Sequence, residues 1–278
     1  MIILAHNGSL YGDWVARYAM RFAAAEADRK LLLLHVLDGR IERAIAENRF
    51  VRLGEESAAA GVICHQELLP LGHSVHRTLR QATPHEPTAL LLCGTRVKPR
   101  RQAFLTGSVA ELLLRSHQCP VLALRVVQPG LLGLPHDLLL PLAGHPDGFD
   151  RLEPILRRFA PQLRRLHLLH ALLVNPLAQP HQGAARRAQL LENGHRYLDG
   201  VHGHLAEKLA LPHCAVDCQV LLATDPTHQI LVEASRLKAQ MLLLGASERS
   251  LAHRVFHGRT LEQILRDTPC DVGIYRGP

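Results

Sequence analysis

The sequence predicts an α/β protein made of two consecutive domains, each a doubly wound parallel sheet of five strands. The prediction rests on a length of 278 residues, on apolar runs that alternate with segments of helical spacing, and on the same order of segments in both halves. A chain of this length exceeds the roughly 100–150 residues most common for one domain. The expected strands are 2–5, 31–36, 62–68, 90–93 and 121–126 in the first half, and 138–142, 166–173, 215–222, 241–244 and 272–275 in the second.

An internal repeat supports the duplication. The segment LLLLHVLDG at 31–39 matches LHLLHALLV at 166–174, which aligns His35 with His170 near the end of the second strand of each half. A duplicated pattern constrains a fold more than any single segment does. Both histidines are therefore expected beside the ligand crevice, either as hydrogen-bonded structural residues or as nucleotide contacts.

Glycines after the fourth strand repeat in the same way. In both halves a second glycine follows thirteen residues after the first, Gly107 after Gly94 and Gly258 after Gly245. Glycine lets the backbone adopt unusual turns and approach a ligand closely, although glycines at strand ends are also common turn residues. The repeat therefore favours corresponding loops in the two halves and leaves their role open.

These matches predict one domain at 1–127 and another at 137–278, joined by a linker rich in Gly and Pro at 128–136. Continuous apolar runs are typical of strands buried on both faces by helices. Apolar residues at helical spacing between the strands are expected in the core. In the first half they are Trp14, Val15, Tyr18, Ala19, Phe22, Ala23, Val109, Leu112 and Leu113.

Composition narrows the class of protein. Hydrophobic residues make up 47% and charged residues 21%, as in ordinary globular proteins. The longest uncharged apolar stretches are strand-sized, well below the ~20 residues of a membrane helix, so we expect no membrane span. The start MIILAHNGS is interpreted as the first strand and not as an export signal, so we expect a cytoplasmic location. The net charge is +7, but aromatic residues are only 4%, which makes nucleic acid an unfavoured partner.

The predicted ligand site lies where the direction of winding reverses, beyond the carboxyl ends of the first and fourth strands. Free backbone amides and a helix N-terminus at such a place can capture a phosphate. The predicted binding residues follow these two strands and begin the next helix. They are Asn7, Gly8, Ser9, Gly94, Arg96, Gly107, Ser108 and Val109.

The opening ILAHNGS, the second strand LLHV, Gly94 followed by Gly107 and Ser108, and the strand CPVLAL together resemble the universal stress protein family. The resemblance covers nearly the whole chain, because each half separately resembles one domain of the family. It implies a flavodoxin-like or adenine nucleotide hydrolase-like fold, dimers, and a division into members that bind ATP and members that do not. Binding members carry Gly, two residues, Gly, nine residues, and then Gly with Ser or Thr.

This sequence departs from that pattern. Val97 stands at the second glycine of the first half, and Asn7 stands where the family commonly has an aspartate. In the second half Glu248 and Arg259 replace the second glycine and the final serine. The resemblance therefore implies ATP, with Mg²⁺, as a candidate cofactor of the first domain and no nucleotide in the second. It also implies a homodimer, and the short linker separately predicts that the two domains pack against each other within the chain.

Three functions follow as hypotheses: a regulatory module that binds an adenine nucleotide, a nucleotide-free interaction scaffold, and a slow ATP hydrolase. No catalytic residue is predicted, because Ser9 and Ser108 lie outside a G-x-S-x-G turn and no base accompanies them. No metal site is predicted either. Several side chains of the second half suit zinc, but two of them, His202 and His204, do not share a helix face. The others are His213, Cys214 and Cys218.

Overall fold

The computed structural model describes residues 1–95, 104–116, 119–129, 135–145, 149–174, 183–209, 211, 213–246 and 257–277, the last range without the side chains of 257–259. Strands and helices alternate along the described chain, which confirms the predicted α/β fold with parallel strands. The strands are β1 (Ile2–Ala5), β2 (Lys30–Leu37), β3 (Ile63–Pro70), β4 (Leu90–Gly94), β5 (Val121–Arg125), β6 (Asp137–Pro141), β7 (Arg165–Leu173), β8 (Ala215–Ala223), β9 (Met241–Gly245) and β10 (Asp271–Arg276). The helices are α1 (Leu10–Ala25), α2 (Arg43–Ala59), α3 (Val75–Ala82), α4 (Val109–Leu114), α5 (Glu153–Phe159), α6 (Ala184–Lys208), α7 (Pro226–Arg236) and α8 (His257–Asp267).

The chain divides into two compact units, neither of which is one uninterrupted stretch. The first unit comprises Met1–Leu134, Ala246–Glu262 and Gly273–Pro278. The second comprises Pro135–Gly245 and Gln263–Val272. Parts of the predicted second domain are thus packed in the first unit, and the domain boundaries 1–127 and 137–278 stay a prediction.

The sheet of the first unit has the strand order β3-β2-β1-β4-β5, with all neighbours parallel. Ile3 of β1 is in register with Leu32 of β2 on one side and Leu91 of β4 on the other. Successive strands wind outward from β1 to β3 and then in the opposite direction from β4 to β5. The switch point therefore lies between β1 and β4, the two strands that the glycine pattern indicated.

In the second unit the order is β9-β6-β7-β8, again with parallel neighbours. Leu139 of β6 is in register with His167 of β7 and Leu242 of β9. The order repeats that of β4-β1-β2-β3 in the first unit, so β6 and β9 flank the corresponding switch point. The strand β10 begins in this unit, where the Asp271 N–H donates to the Gln240 carbonyl.

Burial follows the apolar pattern in the central strands and differs from it elsewhere. All of Leu90–Leu92 is buried, whereas β3 lies at the sheet edge and is mostly exposed. Three of the helical residues predicted in the core are not buried there: Trp14 and Val109 are half-buried, and Leu112 is 44% exposed. Helical spacing alone predicts these residues on the buried face of their helices. In the folded α1 and α4 their side chains remain partly exposed. Among the described helices, none is both long and apolar enough to cross a bilayer.

Candidate functional site at the switch point of the first unit

The switch point brings two of the predicted segments to the same edge of the sheet. Ala5 and Cys93 are register partners in the parallel pair β1 and β4, so the chain that follows each strand leaves at the carboxyl edge. Asn7, Gly8 and Ser9 follow β1, and Gly94 ends β4. The structure thus gathers four of the eight predicted binding residues where doubly wound sheets bind ligands.

The turn Asn7-Gly8-Ser9 is held by its own side chains. Asn7 Oδ1 accepts hydrogen bonds from the Ser9 backbone N–H at 3.1 Å and from the Ser9 hydroxyl at 2.7 Å. Ser9 Oγ in turn accepts from the Gly12 N–H and caps α1. Gly8 has φ +75°, a left-handed conformation in which other residues are strained. The predicted residues therefore shape the turn, and the Asn7 side chain is exposed at its surface.

Gly94 leaves room for an aromatic ring of the same unit. A Cβ at this position would lie 3.0 Å from Tyr11 Cε1. The Tyr11 hydroxyl donates to the Leu124 carbonyl at 3.2 Å and accepts from the Val126 N–H at 2.9 Å, which ties α1 to β5. The close packing of Tyr11 is a structural reason for glycine here, independent of any ligand.

A charged cluster beneath the turn, in which His6 and Asp13 are buried, was missed by sequence reasoning. The Gly8 N–H donates to His6 Nδ1 at 2.9 Å, so the neutral ring carries its proton on Nε2, which donates to Asp13 Oδ1 at 3.1 Å. Asp13 Oδ2 accepts from Arg49 and, at 2.5 Å, from Arg52. The sequence contains a pattern that could have indicated this cluster. Asp13 shares a helix face with apolar residues, and Arg49 and Arg52 are spaced i, i+3 on α2.

Burial and charge set the protonation of this cluster. Burial lowers the pKa of His6 below its ordinary value, although Asp13 acts in the opposite direction. Burial alone would raise the pKa of Asp13, but the hydrogen bond from His6 and the charge of Arg49 hold it below its usual range, with Arg52 adding to the effect. A neutral imidazole and an ionised carboxylate are therefore the forms that support the turn.

His35 and His170 make the same contact in their respective units. His35 Nδ1 donates to the carbonyl of His6 at 2.9 Å, and His170 Nδ1 donates to the carbonyl of Leu142 at 2.8 Å. Each carbonyl belongs to the residue directly after the unit's first strand, β1 or β6. The contact supports the structural interpretation of these histidines and repeats the alignment that the sequence predicts.

The predicted phosphate-binding end of the site is already hydrogen-bonded within the chain. The Gly107 N–H donates to Glu111 Oε2 at 2.6 Å, and the Ser108 N–H donates to the Leu105 carbonyl at 3.0 Å. The Ser108 side chain is buried and accepts from the Glu111 N–H at 3.1 Å, which makes it the N-cap of α4, directly before Val109. In this conformation the loop does not offer these amides to a phosphate.

A second carboxylate accepts hydrogen bonds from the backbone N–H groups just before Gly107. The backbone N–H groups of Phe104, Leu105 and Thr106 donate to the carboxylate of Glu262 at 2.6, 2.8 and 2.8 Å. The Thr106 hydroxyl adds a fourth hydrogen bond at 3.1 Å. Glu262 belongs to α8 but is packed in the first unit. No local sequence signal could have found this contact, because its partners are more than 150 residues apart.

Some predicted positions lie outside the described residues. They include Arg96 and Val97 of the first half and Glu248 of the second, together with the side chain of Arg259. In the part of the chain that the structure describes, no group of three or more His, Cys, Asp or Glu residues is placed to hold a metal ion. The six cysteines are free thiols, and burial raises the pKa of Cys93 to about 12.

Comparison with known proteins gives the same fold. A model of the universal stress protein family matches residues 147–276. Comparison with curated protein sequences finds no match. A universal stress protein from Archaeoglobus fulgidus DSM 4304 is similar at a TM-score of 0.66 and 18% identity, over 98% of this chain and 95% of that one.

Two further solved structures are similar over nearly their whole length. A putative universal stress protein from Pseudomonas aeruginosa UCBPP-PA14 has a TM-score of 0.59 and 19% identity, with 98% of this chain and 92% of that one covered. The cytoplasmic domain of a prokaryotic cation chloride cotransporter has a TM-score of 0.59 and 12% identity, with 99% and 94% covered. At such identities the likeness shows the fold and not the function. The matched family model shows that residues 147–276 are similar to a domain of the universal stress protein family.

Proposed function

We propose that the chain is a tandem universal stress protein, with domains at 1–127 and 137–278, that acts as a cytoplasmic regulatory module. Its first unit binds an adenine nucleotide, ATP with Mg²⁺, at the switch point between β1 and β4. The observation that carries the proposal is the register of Ala5 with Cys93, which supports a shared crevice for the turn after β1 and the loop after β4. The protein acts as a homodimer or through pairing of its two domains.

The β1 side of this crevice suits a nucleotide. The exposed amide of Asn7 offers its Nδ2 donor, since Oδ1 already accepts two hydrogen bonds from Ser9, and Gly8 permits the left-handed turn that presents this amide. The cluster of His6, Asp13, Arg49 and Arg52 supports the turn from below. These contacts favour a preformed platform that holds the turn in place before a ligand arrives.

The β4 side suits a phosphate only after a rearrangement. Glu111 takes the Gly107 amide and Glu262 takes the three amides before it, so a phosphate must exchange with a carboxylate. Phosphate and carboxylate are both anions that accept several N–H hydrogen bonds. The amides of the loop therefore donate to an anion before and after the exchange. No step in this proposal requires hydrolysis, and the described residues of the crevice suggest no general base for one.

A second candidate function is a nucleotide-free interaction scaffold. Its support is the same pair of glutamates, since a loop whose amides are already satisfied has no need of a ligand. The replacement of the second glycine by Glu248 in the other half also favours it. The two candidates differ in one measurable property, which is whether the first unit binds a nucleotide.

Hydrogen exchange with and without millimolar ATP and magnesium tests the proposal and locates the site. We expect ATP to slow exchange at Asn7, Gly8 and Ser9 and to leave the corresponding segment 143–145 of the second unit unchanged. Adenosine is the matched ligand without phosphates. Equal exchange at all of these amides in the presence and absence of ATP favours the scaffold.

A further inference from the structure

The carboxylate of Glu262 occupies an anion site built from three consecutive backbone amides. Phe104, Leu105 and Thr106 all donate to it, and the Thr106 hydroxyl donates as well. Successive N–H groups that converge on one point are a common way for proteins to bind phosphate and other anions. The loop is therefore arranged around a negative charge, and the chain itself supplies that charge.

The surroundings of the loop also favour an anion. The guanidinium of Arg125 lies 4.3 Å from the centre of the Phe104 ring, which places a positive charge beside the loop. Phe104 and Leu105 are each only 5% exposed, so their side chains fix the backbone that presents the amides. Because the loop is anchored by apolar packing, its backbone conformation does not depend on Glu262 alone.

The position of Glu262 connects this site to the internal repeat. Glu262 stands four residues after Gly258, and Glu111 stands four residues after Gly107, the glycine that the repeat matches with Gly258. Glu111 takes the Gly107 amide and also pairs with Arg115 at 2.9 Å. Two equivalent glutamates thus satisfy four successive amides, from Phe104 to Gly107, at the end of the loop where a phosphate is expected.

We propose that Glu262 is an internal competitor for the nucleotide phosphates: its carboxylate fills the amides of Phe104, Leu105 and Thr106, and a phosphate group takes them by displacing it. The inference rests on the proposed function for the identity of the ligand. The anion site itself does not depend on that function. Binding of ATP is then coupled to release of the N-terminal part of α8 from the loop, which makes the affinity of the site depend on a residue outside the nucleotide motif.

The test compares the full chain with Glu262→Gln and with Asp267→Asn, which removes the same charge from an exposed position further along α8. The affinity for ATP and magnesium is measured by calorimetry. The backbone amide NMR signals of residues 104–106 are followed during titration with ATP and, separately, with inorganic phosphate. We expect Glu262→Gln to bind ATP roughly tenfold more tightly, about the worth of one hydrogen bond to a charged group, and Asp267→Asn to match the unchanged chain.

Inorganic phosphate separates this inference from the proposed function. Phosphate-dependent shifts at residues 104–106 in Glu262→Gln support the anion site even if ATP binds neither protein. Weaker or unchanged ATP binding by Glu262→Gln, with no shift at those amides, overturns the inference and leaves nucleotide binding standing. An equal gain in Asp267→Asn overturns it too. If Glu262→Gln does not fold, Glu262→Asp keeps the charge and withdraws it by one methylene, and the same outcomes apply.

Discussion

His35 and His170 hold equivalent places in the two units, each donating through Nδ1 to the carbonyl of the residue that follows the unit's first strand. A carbonyl only accepts, so both rings carry the proton on Nδ1. A glycine with positive φ lies two residues beyond each of those carbonyls, Gly8 in the first unit and Gly144 in the second. The histidine is thus part of the turn at each switch point.

We therefore expect His35→Phe and His170→Phe each to destabilise the protein by about 1–3 kcal/mol, because a buried carbonyl loses its partner. Urea unfolding of each variant measures the effect. His65→Phe, at an exposed position on β3, serves as the matched control and should change the free energy of unfolding by less than about 0.5 kcal/mol. Equal losses in all three variants would contradict a role for the Nδ1 contact.

The glycines beside these histidines give a second prediction. Gly144 has φ +80°, and a Cβ there would lie 2.8 Å from His170 Cε1, whereas a Cβ at Gly39, with φ +77°, would meet nothing within 4 Å. Gly39→Ala should therefore cost about 1 kcal/mol from backbone strain alone, and Gly144→Ala should cost more because it also displaces the ring. Thermal and urea unfolding compare the two, and similar losses would show that the contact with His170 is not tight.

The cluster beneath the first turn predicts a pH dependence. The pKa of His6 is lowered in the folded protein, so below its ordinary value of 6.5 the unfolded chain binds a proton more readily than the folded one. This contribution to stability is therefore complete above pH 6.5 and is lost as the pH falls below it. The lowered pKa of Asp13 adds a further loss as the pH falls below 3.8.

His6→Asn tests this assignment, since its side-chain oxygen can still accept from the Gly8 N–H but does not titrate. Its free energy of unfolding should fall less than that of the unchanged chain between neutral pH and about pH 5. His167, whose pKa is also lowered by burial, contributes to both proteins and cancels in the comparison. Identical pH profiles would assign the acid sensitivity to other groups.

Asn7→Asp restores the residue that the family commonly carries. A carboxylate can still accept from the Ser9 N–H and hydroxyl, so the turn should be kept. We expect nucleotide affinity to rise roughly tenfold, because the second carboxylate oxygen is left to accept a hydrogen bond from the nucleotide, and bonds to a charged acceptor are about twice as strong as neutral ones. Calorimetry with ATP and magnesium measures it, with adenosine as the ligand without phosphates. Unchanged affinity would place the nucleotide away from this turn.

Sequence reasoning found the fold because the strands are short apolar runs with clear ends. It also located the switch point, because glycines lie at or just after the ends of the first and fourth strands of each half. It missed Asp13, which a helical pattern treats as a polar residue on an apolar face, and Glu262, whose partners lie far away along the chain. It also misjudged Trp14, Val109 and Leu112, because spacing gives the face of a helix and not how far that face is covered.

Calorimetric titration of the full chain with ATP and magnesium tests whether the first unit binds a nucleotide. We expect a heat of binding that fits one nucleotide per chain, with a rise in melting temperature as the nucleotide concentration increases. No heat and no shift in melting temperature at millimolar ATP would contradict nucleotide binding by the first unit.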